Sequence, residues 1–189
     1  MDFIREFKIA SDRLGVLVGK KGKIKREIEE RCVINLKINS KTGDVVITSI
    51  GNSTESNPLK AVEIVTSIAY GFSPERAFRL FDEENTLAQL DLREYSGKSD
   101  SNLSRIKGRI IGLGGKSRKL LEDLTGTYVS VYGHMVAVIG MTDQIKLALD
   151  AINMLASGSP HRSVYNMLER ARSRAKMDKI RLWEGESLI

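Results

Sequence analysis

The residues best placed to do chemistry are glycines and lysines in two short runs. Gly112-Leu113-Gly114-Gly115 follows the apolar pair Ile110 and Ile111 and precedes Lys116, Arg118 and Lys119. Gly19-Lys20-Lys21-Gly22 follows Val16, Leu17 and Val18 and precedes Lys23. The two runs align at one offset, 93 residues (112 − 19 and 115 − 22), which also sets Ile28 on Leu121 and Glu29 on Glu122. A motif that recurs with its flanks marks a repeated unit.

The chemistry such a run supports is non-covalent capture of an anion. A Gly-x-x-Gly turn between two helices is tight, and glycine reaches positive φ at little steric cost. Without a Cβ at either end, a sugar-phosphate strand can lie against the main chain. The second helix starts at the second glycine, so its first amides lack intrahelical partners and its N-terminus carries about half a positive charge. Phosphates bind such helix starts. The candidate contact residues are therefore Gly19, Lys20, Lys21, Gly22 and Lys23 in the first copy. In the second they are Lys107, Arg109, Ile111, Gly112, Leu113, Gly114, Gly115, Lys116, Arg118 and Lys119. In the second copy, Ile110, Ile111, Leu120, Val129 and Val131 would line an apolar groove for bases.

The elements that must position these runs repeat as well. Phe3 to Ile9 reads as a strand, and Ser11 or Asp12 as the cap of a short helix ending at Val18. Ile24 and Ile28 mark the next helix. Ile34, Leu36 and Ile38 alternate with polar residues and pair with 45–48 as a hairpin across a turn at 41–44. Pro58 opens a third helix with Val62, Val65 and Ala69 on its apolar side. The second copy runs strand (87–92), polar loop (97–102), a helix to Ile111 capped by Ser101 or Asn102, the glycine run, and a helix to Thr125. A hairpin (128–139) and a long helix opened by Thr142 follow. The segment 73–86 connects the copies. Phe72, Phe78, Leu80 and Phe81 are too apolar for a free tether and are expected to pack between the modules. Ser157-Gly158-Ser159-Pro160 breaks the long helix. A last helix follows, with Val164, Leu168, Ala171 and Ala175 inward and Arg162, Arg170, Arg172, Arg174, Lys176 and Lys179 outward. That basic face reads either as a solvated surface or as a further RNA surface, and Trp183 as an anchor on the protein or on a partner.

The order strand, helix, GXXG, helix, strand, strand, helix resembles the eukaryotic-type (type I) KH domain, whose GXXG loop clamps about four nucleotides. The expected fold is α+β: two tandem type I KH domains, each a three-stranded antiparallel sheet covered on one face by three helices, plus an extra C-terminal helix. The expected division is 1–72 for the first domain, 73–86 for the helical connector, and 87–189 for the second domain with its basic helix and tail.

Composition fits and excludes. The 189 residues carry 30 Lys+Arg against 24 Asp+Glu, a net +6, which suits a polyanionic partner. Hydrophobic residues at 41% are enough for ordinary cores. A single cysteine, Cys32, excludes an intrachain disulfide and reads as a buried structural thiol. No apolar run approaches a membrane span, and the first residues lack signal-peptide features, so a cytoplasmic protein is expected. Aromatic residues, at 6%, are too few for RRM-like stacking platforms. The acids at 82–84 lack ligand-like spacing, and the two histidines, His134 and His161, have no nucleophile beside them in sequence. No enzyme, metal or cofactor is expected.

Three further segments resemble one family in particular, the small-subunit assembly factor called Dim-two, or partner of Nob-one, in its short archaeal form. They are Gly71-Phe-Ser-Pro-Glu-Arg-Ala-Phe78, Arg109-Ile-Ile-Gly-Leu-Gly-Gly-Lys116 and Gly158-Ser-Pro-His-Arg-Ser-Val-Tyr165. The resemblance implies binding of single-stranded RNA near the 3′ end of 16S rRNA during ribosome assembly. It also implies work beside the Nob-one endonuclease and contact with the alpha subunit of initiation factor two. Eukaryotic members lack a proper first GXXG, whereas Gly19 to Gly22 is intact here, so the resemblance leaves open whether one module binds RNA or both. The rival classes are a non-catalytic protein adaptor and a KH translational regulator of other RNAs.

If about six phosphates are neutralised, the log of affinity for single-stranded RNA falls with log salt at a slope of roughly −4. A titration series across salt concentrations checks this; an affinity indifferent to salt removes the electrostatic clamp.

Overall fold

Periodicity-two strands and amphipathic helices alternate along the chain as the sequence implies. The computed structural model describes residues 3–50 and 56–186, with the side chains of 179 and 181–186 excepted, so those of Lys179 and Trp183 lie outside the description. Two compact units form. The first runs to Ala88 and takes in Ser130–Gly133; the second comprises Gln89–Val129 and the chain from His134 onward.

The first unit contains β1 (Ile4–Lys8), α1 (Ser11–Val18), α2 (Lys23–Cys32), β2 (Ile34–Ile38), β3 (Asp44–Ser49), α3 (Pro58–Ala69) and a single turn, α4 (Pro74–Ala77). Its antiparallel sheet has the order β1-β3-β2, with Phe7 opposite Val45 and Leu36 opposite Ile47. Alternation decides which face meets the helices: Ile34, Leu36, Val45 and Ile47 are buried, while Asn35 and Lys37 are exposed. Leu14, Leu17, Ile28, Ile64, Val65 and Ile68 close the core from above. The inner stripe of α3 is Ala61, Ile64, Val65 and Ile68, whereas the expected Val62 and Ala69 are only half-buried. Both registers are apolar in sequence, and packing selects the one carrying the isoleucines. α3 is capped by Asn57, whose Oδ1 accepts from the Lys60 amide at 3.1 Å. α1 has no side-chain cap: Ala10 stands at its N-cap and Ser11 is already helical. Phe72 and Leu80 are buried, α4 lies on α3, and the Arg31 guanidinium sits 3.5 Å above the Phe81 ring, so residues 72–81 belong to the first unit.

The second set of elements is β4 (Thr86–Asp91), a single turn α5 (Arg93–Ser96), α6 (Asp100–Ile111), α7 (Lys116–Thr125), β5 (Tyr128–Tyr132), β6 (Met135–Gly140), α8 (Thr142–Ala156) and α9 (His161–Glu186). The sheet order is β4-β6-β5, the same as in the first. Ser99, not Ser101 or Asn102, caps α6, its hydroxyl accepting from the Asn102 amide at 3.3 Å. α8 buries Ile145, Ala148, Ala151, Ile152 and Leu155, and α9 adds Val164 and Leu168. Of the expected inner stripe of α9, Ala171 is half-buried and Ala175 is exposed, both bordering an open groove against Leu124 and Leu147. No helix among the described residues is long and apolar enough to cross a membrane.

Cys32 is 1% exposed at the end of α2. Burial pushes its thiol from 9.0 to about 11, against the opposing pull of Arg31 and Lys60. The folded chain therefore keeps a proton that the unfolded chain releases from pH 9 upward. This contribution to stability is complete below pH 9 and is lost as pH rises to about 11, a loss on the order of 2 kcal/mol. Urea unfolding across that window checks it. The fall should be visibly shallower in Cys32→Ala, and identical slopes in the two proteins would contradict the burial argument.

Candidate nucleic-acid interface

Both glycine runs sit where one helix ends and the next begins, and both adopt the same backbone. Gly19 has φ/ψ of 70°/176° and Gly112 of 73°/173°; Lys21 has 53°/30° and Gly114 59°/24°; Gly22 has 76°/15° and Gly115 78°/9°. Each loop is closed by a hydrogen bond between its glycines, Gly22 N–H to the Gly19 carbonyl at 3.1 Å and Gly115 N–H to the Gly112 carbonyl at 3.2 Å, and by a second from Lys23 N–H to the Lys20 carbonyl or Lys116 N–H to the Leu113 carbonyl.

The two glycines of each run serve different ends. A Cβ on Gly19 would stand 2.9 Å from the Ile24 Cβ, and one on Gly112 would stand 2.8 Å from the Ser117 amide nitrogen. The first glycine therefore lets the following helix start against the end of the preceding one. A Cβ on Gly22 would meet nothing within 4 Å, and on Gly115 only the Arg118 guanidinium, at 4.0 Å. The second glycine leaves bare main chain facing outward beside the first amides of α2 or α7. No side chain caps the N-terminus of either helix. Such a corner can seat a phosphate: an uncapped helix start, a favourable dipole and no Cβ in the way.

Around the first seat, Lys20, Lys21 and Lys23 are exposed. Lys21 holds a left-handed conformation that costs a residue with a Cβ about 1–2 kcal/mol. Arg26 folds back over the loop, its guanidinium donating to the Lys21 carbonyl at 2.9 Å. Sequence spacing did not single out Arg26, yet it stands one helical turn after Gly22, the signal that would have found it. Around the second seat, Lys116, Lys119 and Leu113 are exposed and Lys107 and Ile111 half-buried. Leu113 is 87% exposed at the loop tip. Arg118 lies over Gly115, and its Nε is buried without a hydrogen-bond partner.

Arg109 is not turned to the seat. Its guanidinium donates to the carbonyls of Leu155, at 3.0 Å, and Ser159, at the end of α8. Arg13 does the same in the first unit, donating to the carbonyls of Ile68, at 2.8 Å, and Phe72 at the end of α3. A hydrogen bond to a charged donor contributes about 1.5–3 kcal/mol, and the carbonyls would be left unpaired without it. These arginines hold the module shut. The expected apolar groove also narrows: Ile110 and Val129 are core residues, 0% and 1% exposed, and Val131 falls in the other compact unit, leaving Ile111 and Leu120 at the surface of this one.

The strand beside each seat is fixed by a second repeated contact. Glu29 Oε1 accepts from the Leu36 amide and Glu122 Oε1 from the Val129 amide, both at 2.8 Å. The second seat has a further brace from α9: the Tyr165 hydroxyl donates to Ser117 Oγ at 2.9 Å, and His161 Nε2 lies 2.8 Å from the Arg109 carbonyl. Among the described residues, no three His, Cys, Asp or Glu side chains come together as metal ligands would.

Residues 86–173 match the family model for the second KH domain of PNO1, a eukaryotic-type (type I) KH domain. A KH domain-containing protein of Methanocaldococcus jannaschii is 41% identical over 187 residues, 97% of this chain and 81% of that protein. The pre-rRNA-processing protein pno1 of Schizosaccharomyces pombe is 27% identical over 149 residues, 78% of this chain and 62% of that protein. Among solved structures, the complex of a/eIF2alpha, aDim2p and rRNA from Pyrococcus horikoshii contains a similar chain. That chain is 45% identical with a TM-score of 0.85, and the match covers 92% of this chain and 96% of that one.

Changing the two glycines should separate folding from binding. Gly19→Ala and Gly112→Ala should destabilise by about 2–3 kcal/mol, through overpacking added to the left-handed penalty. Gly22→Ala and Gly115→Ala should cost about 1 kcal/mol, yet weaken RNA binding more than the first pair does when measured well below the melting temperature. Thermal melts with RNA titrations test this; the opposite ranking in either assay would refute the assignment.

Proposed function

This chain belongs to the PNO1/Dim2 family of KH-domain proteins, and we propose that it binds small-subunit rRNA as a single strand near the 3′ end during ribosome assembly and 3′-end maturation. One observation carries the reading: two loops 93 residues apart take the same left-handed path and each leaves a bare glycine at a helix start that no side chain caps. Phosphates seat on Gly22 and Gly115 and the amides after them, with Lys20, Lys21, Lys23, Lys116 and Lys119 supplying the field. Arg118 lies over the second seat, and Lys107 is half-buried on the helix before it. Bases rest on Ile111 and Leu120. The contribution of Arg109 is to hold the module closed.

The wider assignment rests on the relatives. The Schizosaccharomyces pombe relative is a pre-rRNA-processing protein, and the similar Pyrococcus horikoshii chain is in a complex with rRNA and a/eIF2alpha. By analogy this chain takes the alpha subunit of initiation factor two as a partner. The family resemblance adds the Nob-one endonuclease. In this reading the chain presents RNA and cuts nothing; it acts in the cytoplasm, through a first KH domain at 1–72, a helical connector at 73–86 and a second KH domain with its tail at 87–189.

The double substitution Leu113→Asp with Lys116→Asp places two carboxylates at the second seat without touching the core. Affinity for a single strand of the 16S 3′ end should fall more than tenfold, about 1.4 kcal/mol or more. Binding of the initiation-factor subunit should change far less. Fluorescence anisotropy and a pull-down read the two effects. Intact RNA affinity with lost partner binding would favour the adaptor reading instead.

A further inference from the structure

Helix α9 carries charge that neither loop uses. From Arg172 to Asp178 every residue is exposed. Its outer face presents Ser163, Asn166, Arg170, Ser173 and Arg174 along about three turns, with Asn166 three residues after Ser163, Arg170 four after Asn166, and Ser173 and Arg174 three and four after Arg170. Arg170 and Arg174 are exposed, and among the described residues neither lies within ion-pair distance of a carboxylate, although Glu169 borders the face on one side. The opposite side of the same helix is anchored, with Val164 and Leu168 buried and Tyr165 bonded to Ser117. The basic face is thus held rigidly to the helix that begins at the second glycine loop.

From this arrangement we infer that the outer face of α9 is a second nucleic-acid surface, one that grips the sugar-phosphate backbone of paired RNA. Arginine, serine and asparagine are the side chains that bind phosphate and sugar oxygens. Two guanidiniums without acidic partners favour a polyanion. Surfaces for single strands offer the bases an aromatic or apolar bed, and on this face the only large apolar side chain among the lining residues is Met167. A duplex hides its bases and offers only backbone and 2′-hydroxyls, which is what this face can hold. The inference rests on the reading of the chain as an RNA-binding protein. It adds a distinct substrate to it: a stem gripped by α9 beside a strand held by the glycine loop.

The test uses the full chain and three RNA probes: a blunt hairpin stem, a single strand of the 16S 3′ end, and the two joined. Arg170→Gln with Arg174→Gln changes only exposed side chains, so the melting temperature should stay put. Affinity for the stem and for the joined probe should fall about tenfold, and the log–log salt slope should shrink by about two. Affinity for the single strand should hold within about twofold. The Leu113→Asp, Lys116→Asp protein should show the reverse pattern. Unchanged stem binding, or an equal loss on stem and strand, overturns the inference, as does a loss confined to an acidic peptide such as polyglutamate. A wild-type chain that binds the stem through α9 but ignores the strand would sink the glycine-loop reading and leave this one standing.

Discussion

Everything at the candidate interface depends on one steric constraint, the left-handed corner between two helices. At Gly19 and Gly112 the chain can turn only if nothing projects from Cα, because the next helix begins within 3 Å of where a Cβ would be. That closeness fixes where α2 and α7 begin, with a helix start that no side chain caps. The electrostatic seat follows from the sterics, and lysines merely strengthen a field that the backbone has already pointed. The glutamate ties from Glu29 to Leu36 and from Glu122 to Val129 then hold the edge strand at a set distance from that corner.

The repeat shows how firmly the fold imposes this backbone. Where the second module has Gly114 and Gly126 in left-handed conformations, the first has Lys21 and Val33 at φ 53° and 51°, at the same offset of 93 (114 − 21 and 126 − 33). A β-branched residue there is a genuine outlier, so the first module carries strain that the second avoids. Arg26 over the Lys21 carbonyl is one local compensation. Its counterpart at the same offset, Lys119, follows a loop with glycine in the strained position and is itself exposed. The two corners therefore share a skeleton and differ in dress: cationic and strapped in the first, apolar-tipped and unstrained in the second.

Much of this was legible in the residues. Two Gly-x-x-Gly runs with matched flanks, alternating strands and the Pro58 and Pro160 breaks lead directly to two α+β modules of one order, and the sheets have the orders β1-β3-β2 and β4-β6-β5. The positions of exposed loop lysines follow from spacing alone. What stayed hidden were contacts whose second partner lies far along the chain. Arg109 stands beside the glycine run in sequence and reads as a phosphate ligand, yet its hydrogen bonds go to carbonyls 46 and 50 residues away. Only the packed position of the end of α8 reveals that. The cap of α6 shifted to Ser99 for a more local reason: several adjacent residues (Ser99, Ser101, Asn102) can all cap, and the backbone decides among them.

Arg109 also shows why counting charge near a motif overstates a clamp. A guanidinium engaged with two helix-end carbonyls still contributes to the long-range potential, but within one Debye length that potential is shared with every other cation nearby. Contact affinity needs donors that can reach a phosphate without breaking a better bond. Around the second corner the exposed cations are Lys116 and Lys119, with Arg118 half-buried over Gly115 and Arg109 turned away. Around the first, Lys20, Lys21 and Lys23 are all exposed. The corner poorer in mobile charge is the one tipped by a bare leucine and braced by α9 through Tyr165. Charge sets how strongly a corner attracts any strand; a rigid frame with an apolar tip sets how well it tells one strand from another.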